Sequence, residues 1–191
     1  VVGAKIYAAN GITTGQDGRV MPESWGALDE AAKRGLFPID VVALVSFERE
    51  WKDDVRVRIG KGYSGNLRIG GIKLTLDGSP QGRTAWLKDP VPIPPHGQKE
   101  GYAGYPAIDL KLFNDKLADA AKNNWQVFVH VNGDAAAQAL IDGVQANGLA
   151  GRRTIAPVGA LSALAPCRLR RGLSLASMRP QKSIGPTPAT M

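Results

Sequence analysis

Lys73 and His130 are the residues whose surroundings in the chain could turn them to chemistry. Lys73 lies in Gly70–Leu87, GGIKLTLDGSPQGRTAWL, where Ile72, Leu74 and Leu76 alternate with Lys73, Thr75 and Asp77. Period-two alternation predicts a strand, and Gly78-Ser79-Pro80 ends it. A lysine in mid-strand between apolar neighbours is costly to desolvate unless a charge or a metal meets it. His130 closes the apolar run Trp125–Val131, WQVFVHV. A lysine can capture carbon dioxide as a carbamate that bridges two divalent cations, and histidine is the usual neutral ligand beside it. A desolvated lysine equally suits Schiff-base chemistry as a nucleophile. Plainer accounts stand beside these: an edge strand with Lys73 in water, and His130 as a hydrogen-bonded core histidine. The second histidine, His96, falls in a Pro-rich loop and is expected in solvent.

Those residues need a frame. Val1–Ala9 reads as a helix closed by Asn10-Gly11. Ile12-Thr13-Thr14 reads as a short strand stopped at Gly15-Gln16-Asp17-Gly18, which places Asp17 just beyond its end. Pro22 suits the first turn of a helix carrying Trp25, Leu28, Ala31 and Ala32, with Gly35 ending it. The unbroken apolar run Val41–Val45 predicts a strand buried on both faces. Arg49–Arg58 is charged and reads as a surface helix or loop. After the lysine strand, 78–107 is a long Pro- and Gly-rich loop, the mark of a functional lid or a disordered segment. Asp109 then caps a helix with Leu110, Phe113, Leu117 and Ala121 at helical spacing. His130 follows on its strand, and Asp134 opens a helix to about Asn147. Strands alternating with helices predict an α/β fold with a parallel sheet, either doubly wound or part of a (β/α)8 TIM-type barrel. Functional groups in both gather at the C-terminal strand ends, where Asp17, Lys73, Asp77 and His130 fall. No GxGxxG or GxxxxGK[ST] loop supports nucleotide binding.

The chain has 191 residues, enough for one sizeable core, and no apolar run long enough for a membrane span. One cysteine, Cys167, excludes an internal disulfide framework and a multi-cysteine zinc ribbon. The net charge of +7 suggests nucleic acid until its distribution is read. Seven basic residues and no carboxylate lie beyond residue 150, while residues 1–150 are balanced at 17 against 17. That basic tail lacks aromatics for base stacking. We therefore expect neither a nucleic-acid nor a membrane partner. The alternative is a non-enzymatic α/β binding module that uses the tail on nucleic acid or anionic surfaces. The expected domains are 1–150 as the folded unit and 151–191 as a disordered, non-homologous tail. Its Arg, Ala, Pro, Ser and Gly composition, without strand or helix period, is that of GC-rich coding sequence read out of frame. The first residue is Val1, so a leading segment or signal peptide is expected to be missing; compartment is left open, with the cytoplasm favoured.

The stretches IKLTLDGSPQGRTAWL and VFVHVNGDAAAQALIDGV, with ANGITTGQDG and GYAGYP, resemble the amidohydrolase superfamily. The resemblance covers residues 1–148 and points to the branch of N-substituted formamide deformylases and related metal-dependent hydrolases. It implies a TIM-type barrel with one or two zinc ions that hydrolyses the C–N bond of a small-molecule amide. Lys73 matches the carboxylated-lysine ligand of the fourth barrel strand and His130 the histidine ligand of the fifth. Asp77, Ser79 and Arg83 match the motif after the lysine and are expected to shape the substrate pocket. The family's His-x-His pair would precede Val1, and its later histidine and general-base aspartate should follow residue 150, where neither type occurs. The resemblance thus implies four barrel strands and an incomplete, inactive fragment.

Overall fold

The computed structural model describes residues 1–151 and the backbone of 155–158. Five parallel strands pair in chain order: β1 (Thr14–Val20), β2 (Asp40–Ser46), β3 (Leu67–Thr75), β4 (Val127–His130) and β5 (Ile155–Val158). Helices α1 (Val2–Ala9), α2 (Pro22–Lys33), α3 (Asp53–Arg56), α4 (Leu110–Asn123) and α5 (Asp134–Ala146) connect or precede them. The local reasons follow the sequence. Pro22 occupies the first turn of α2, the Asp109 carboxylate accepts from Leu112 N at 2.9 Å, and Asn124 ends α4 in the left-handed conformation (φ 54°).

All five strands run the same way in sequential order, with no reversal of strand order. One apolar cluster joins Val41, Ala43, Val45, Ile72, Leu74, Val127 and Val129 to Trp25 of α2, Val55 of α3, Phe113 and Leu117 of α4, and Leu140 and Val144 of α5. The helices α2 to α5 therefore cover the same face of the sheet. A doubly wound sheet covers both faces and reverses its order, so the arrangement is that of part of a (β/α)8-type barrel.

Which side chains reach the other face is set by an irregularity in β3. Ala43 of β2 pairs with Ile69, but Leu44 pairs with Gly71, so Gly70 is an extra residue opposite the β2 ladder. A bulge of this kind inverts the alternation beyond it. Leu67 and Ile69 are core residues before it; Ile72, Leu74 and Leu76 are core residues after it. Lys73 is thereby turned to the face opposite the helices. Both glycines are tightly fitted, for a Cβ at Gly70 would press into Val42 and one at Gly71 would overlap the Gln126 carbonyl oxygen.

The structure corrects several expectations. The β1 strand begins at Thr14 and runs through Gly15-Gln16-Asp17-Gly18, the segment read as its stop, because pairing to β2 overrides the glycine-rich turn signal. The stretch after residue 149 was expected to hold no strand, yet 155–158 pair with β4 in register, giving five strands and not four. Lys73 is on a central strand and only 6% exposed, not at a solvated edge. The loop 78–107 is neither disordered nor detached: Leu87 N donates to Ala103 O (2.7 Å), Val91 N to Tyr102 O (2.9 Å) and Ala107 N to Leu76 O (2.9 Å). His96 is exposed there, as expected. Apart from 155–158, the tail expectations lie outside the described residues. Among the described residues no helix is long and apolar enough to cross a membrane.

Candidate functional site

On the face opposite the helices, register fixes a row of Ser46, Lys73 and Phe128 across β2, β3 and β4, and the next row pairs Thr75 with His130. Lys73 and His130 thus share one face at the C-terminal ends of adjacent strands, one row apart. Glu48, just after β2, closes the lysine side. Its carboxylate accepts from Ser46 Oγ at 2.7 Å, from Arg19 Nη2 at 3.1 Å and from the backbone N of Thr75. Burial pushes the Lys73 ammonium below the usual lysine range; the Glu48 carboxylate opposes this shift and the Arg19 guanidinium reinforces it. The shift is toward the neutral amine, the form with a nucleophilic lone pair.

The sign of that shift gives a test. A lysine whose pKa is lower folded than unfolded destabilises the fold while it is charged, and the penalty fades as pH rises toward the ordinary lysine value of 10.5. In the metal-free chain Lys73→Met is therefore expected to raise Tm at pH 7, with the gain shrinking toward pH 10. Thermal melts of both proteins across that range check it; a variant less stable at pH 7, or a gain constant with pH, refutes it.

His130 is held by its neighbour. The Asn132 amide nitrogen donates to Gly78 O at 2.7 Å and lies 2.8 Å from His130 Nε2. Asp77 is fully buried and ties three strands of chain together: its Oδ1 accepts from Asn132 N (2.9 Å), and its Oδ2 from Gly133 N (2.7 Å) and Trp86 N (3.0 Å). This carboxylate joins the long loop after β3 to the turn between β4 and α5.

Ser79 and Arg83 lie elsewhere. Ser79 Oγ accepts from Gly82 N (3.0 Å) and its backbone N donates to Thr84 Oγ1 (3.0 Å), which closes the SPQGRT turn on itself. Arg83 is exposed, in the left-handed region (φ 53°), and its guanidinium donates to Ile93 O. Asp17 is exposed on β1, and its carboxylate accepts from Arg19 N at 3.2 Å. The structure thus groups Lys73 with His130, uses Asp77 to hold the loops beside them, and puts Ser79 and Arg83 in the outer turn. Sequence reasoning passed over Glu48 and Arg19. Glu48 was hidden next to a charged stretch read as surface, and Arg19 lay beyond a strand end placed too early. Asn132 was in view within HVNGD, without a role.

Lys73 and His130 are donors of the right kind for a divalent cation, but they are few. Among the described residues no group of three or more His, Cys, Asp or Glu is placed to hold a metal ion. The arrangement offers part of a donor set on one face of a curled sheet.

Comparison with known proteins agrees with this geometry. Residues 3–179 match the model of the amidohydrolase family. The exoenzymes regulatory protein AepA of Pectobacterium carotovorum is 33% identical over 87 residues, 46% of this chain and 17% of that protein. Two solved structures share the fold, both uncharacterised metal-dependent hydrolases. The one from Pyrococcus horikoshii has a TM-score of 0.62 at 22% identity over 76% of this chain and 29% of its own. The one from Pyrococcus furiosus has 0.62 at 23% identity over 77% and 30%. The chain spans under a third of the length of each of these relatives.

Proposed function

We infer the chemistry from a single premise: this chain belongs to the amidohydrolase family. We propose that it serves a metal-dependent hydrolase whose substrates are small-molecule amides cleaved at the C–N bond, as in the N-substituted formamide deformylase-like branch. The observation that carries this is the buried amine of Lys73 on the same face as His130, at the ends of neighbouring parallel strands.

Lys73 and His130 would hold the metal, one or two divalent ions with zinc the proposed identity. Such an ion, when bound, polarises a carbonyl and lowers the pKa of water. The chain's own residues prepare the place. Burial shifts Lys73 toward the neutral amine, the form able to add carbon dioxide and release a proton. Glu48 buttresses the strand end beside it through Thr75 N and Ser46 Oγ. Asp77 fixes the loop that walls the site on the His130 side, and the Ser79–Arg83 turn shapes its outer rim.

The described residues supply two ligands and no general base, so the 191-residue chain alone is expected to bind zinc weakly and not to turn over amides. Zinc titration by calorimetry is expected to show a heat that disappears in the Lys73→Ala/His130→Ala double variant. Unchanged zinc binding in that variant removes the assignment of ligands, and zinc-dependent hydrolysis of an N-substituted formamide by the wild-type chain overturns the expected inactivity.

A further inference from the structure

We propose that Arg19 is a specificity-determining residue, and that the amides taken by this face carry a carboxylate, as N-acyl amino acids do. The proposal rests on the amide-hydrolase reading of the face that bears Lys73 and His130, and adds the part of the substrate that is not cleaved.

A second irregularity of register places Arg19. Asp17 pairs with Ala43 and Val20 with Val45, so β1 takes three residue steps where β2 takes two. Ala43, Val45 and Val20 all belong to the core beneath the helices. The extra residue breaks the alternation of β1, and Arg19, next to Val20, is turned to the opposite face. The Asp17 carboxylate braces this bulge by accepting from Arg19 N at 3.2 Å. Bulges in β1 and β3 thus bring two basic side chains, Arg19 and Lys73, to one face near the C-terminal strand ends.

The guanidinium is held by one nitrogen. It reaches across β2 and donates from Nη2 to Glu48 at 3.1 Å. Glu48 is also committed to Ser46 Oγ, in register with Lys73, and to Thr75 N. A guanidinium carries five N–H donors in a planar fork, and among the described residues only Nη2 has a partner. The side chain is 52% exposed, and an ion pair so exposed contributes little to stability. Its effect is to fix the fork before a ligand arrives, which lowers the entropy lost on binding. The open edge of such a fork matches a carboxylate through paired, charge-assisted hydrogen bonds. Two strand spacings, about 10 Å, separate β1 from β3. Side chains extending from both strands leave room for a small molecule with its carboxylate at Arg19 and its amide on the Lys73 side.

The probes are N-formylglycine, its neutral counterpart N-formylglycinamide, and acetate. Each is added to the nitrogen-15-labelled full chain while the Arg19 Nε–H resonance is followed. N-formylglycine is expected to shift that resonance saturably and to bind about tenfold more tightly than N-formylglycinamide, the factor of one charge-assisted contact. Acetate, which has the charge and no amide, is expected to bind more weakly. Arg19→Gln is expected to lose about the same tenfold. Arg49→Gln, which removes the same charge from the exposed neighbour of Glu48, is expected to change nothing. No response at Arg19, equal affinity for N-formylglycinamide, or equal losses in the two variants each overturn the proposal. Acetate binding as tightly as N-formylglycine would show an adventitious ion only, and overturns it too. Should Arg19→Gln fail to fold, the three probes on the wild-type chain decide. N-formylglycine binding in a chain that gives no zinc heat would remove the metal ligands and leave Arg19 its role. Zinc binding without a response at Arg19 would remove only that role.

Discussion

Asp77→Ala is expected to lower the unfolding free energy by about 4 kcal/mol, read from urea denaturation of the full chain. The magnitude follows from what the carboxylate holds. It accepts three backbone N–H groups, from Trp86, Asn132 and Gly133, at 3.0, 2.9 and 2.7 Å. Each buried donor left without a partner costs roughly 1–3 kcal/mol, and hydrogen bonds to an ionised group lie at the strong end. The methyl group of alanine replaces none of them, and the residue is fully buried, so water does not readily substitute. Asp77→Asn is expected to lose less, because its carbonyl oxygen still serves one side of the cluster. The damage should be local before it is global. Amide hydrogen exchange is expected to accelerate first at Trp86, Asn132 and Gly133, with the core strands following only at the global unfolding free energy. A loss under 1 kcal/mol, or protection unchanged at those three amides, would show that the carboxylate is not what joins the loop to the turn.

Gly133→Ala is expected to cost about 3 kcal/mol, for a different reason. Gly133 is the N-cap of α5 with φ −81°, a conformation open to any residue, so its glycine is not required by backbone strain. It is required by space: a Cβ there would overlap the carbonyl oxygen and carbon of Trp86, which are backbone atoms and cannot rotate away. Overpacking of this type costs about 1–3 kcal/mol or more where the neighbour is main chain. Trp86 O accepts from Ala136 N at 3.4 Å, so displacing it also disturbs the first turn of α5. Gly26→Ala is the control: it sits in α2 with nothing near its missing Cβ, and alanine there is expected to stabilise by somewhat under 1 kcal/mol. Thermal or urea melts of the two variants should move in opposite directions. A neutral Gly133→Ala would mean that the loop backbone yields at little cost.

Most of the fold was legible in the sequence because each signal was local and strong. Pro22, the Asp109 cap and the apolar run Val41–Val45 each act within one element, and each element appears where they place it. The misreadings came where tertiary pairing decides. Nothing in TGQDGRV has strand propensity enough to outweigh two glycines and an aspartate, yet its backbone pairs with β2. The short IAPV segment has no alternation to read and pairs with β4. In the site, residue types at strand ends singled out Lys73 and His130, because polar groups amid apolar neighbours are conspicuous. Glu48 and Arg19 lie on other elements, and their closeness to Lys73 is a product of register that no spacing along the chain expresses. Asp77 was legible as a residue of interest, but its partners are backbone amides, which carry no sequence signature at all.

The doubled glycine in β3 behaves like a half-step in a screw thread. Everything beyond Gly70 is advanced by one residue against β2, and what that half-step carries is the assignment of inside and outside. Remove one glycine and the thread re-engages without it: Ile72, Leu74 and Leu76 would turn to the face opposite the helices, while Lys73, Thr75 and Asp77 would be driven into the layer of α2 to α5. No side chain would have been altered. The chemical identity of this half of the strand is therefore written in the length of the chain as much as in its residues, and a deletion that costs the protein only a hydrogen atom's worth of side chain would exchange a strand face bearing Lys73 and Thr75 for a greasy one.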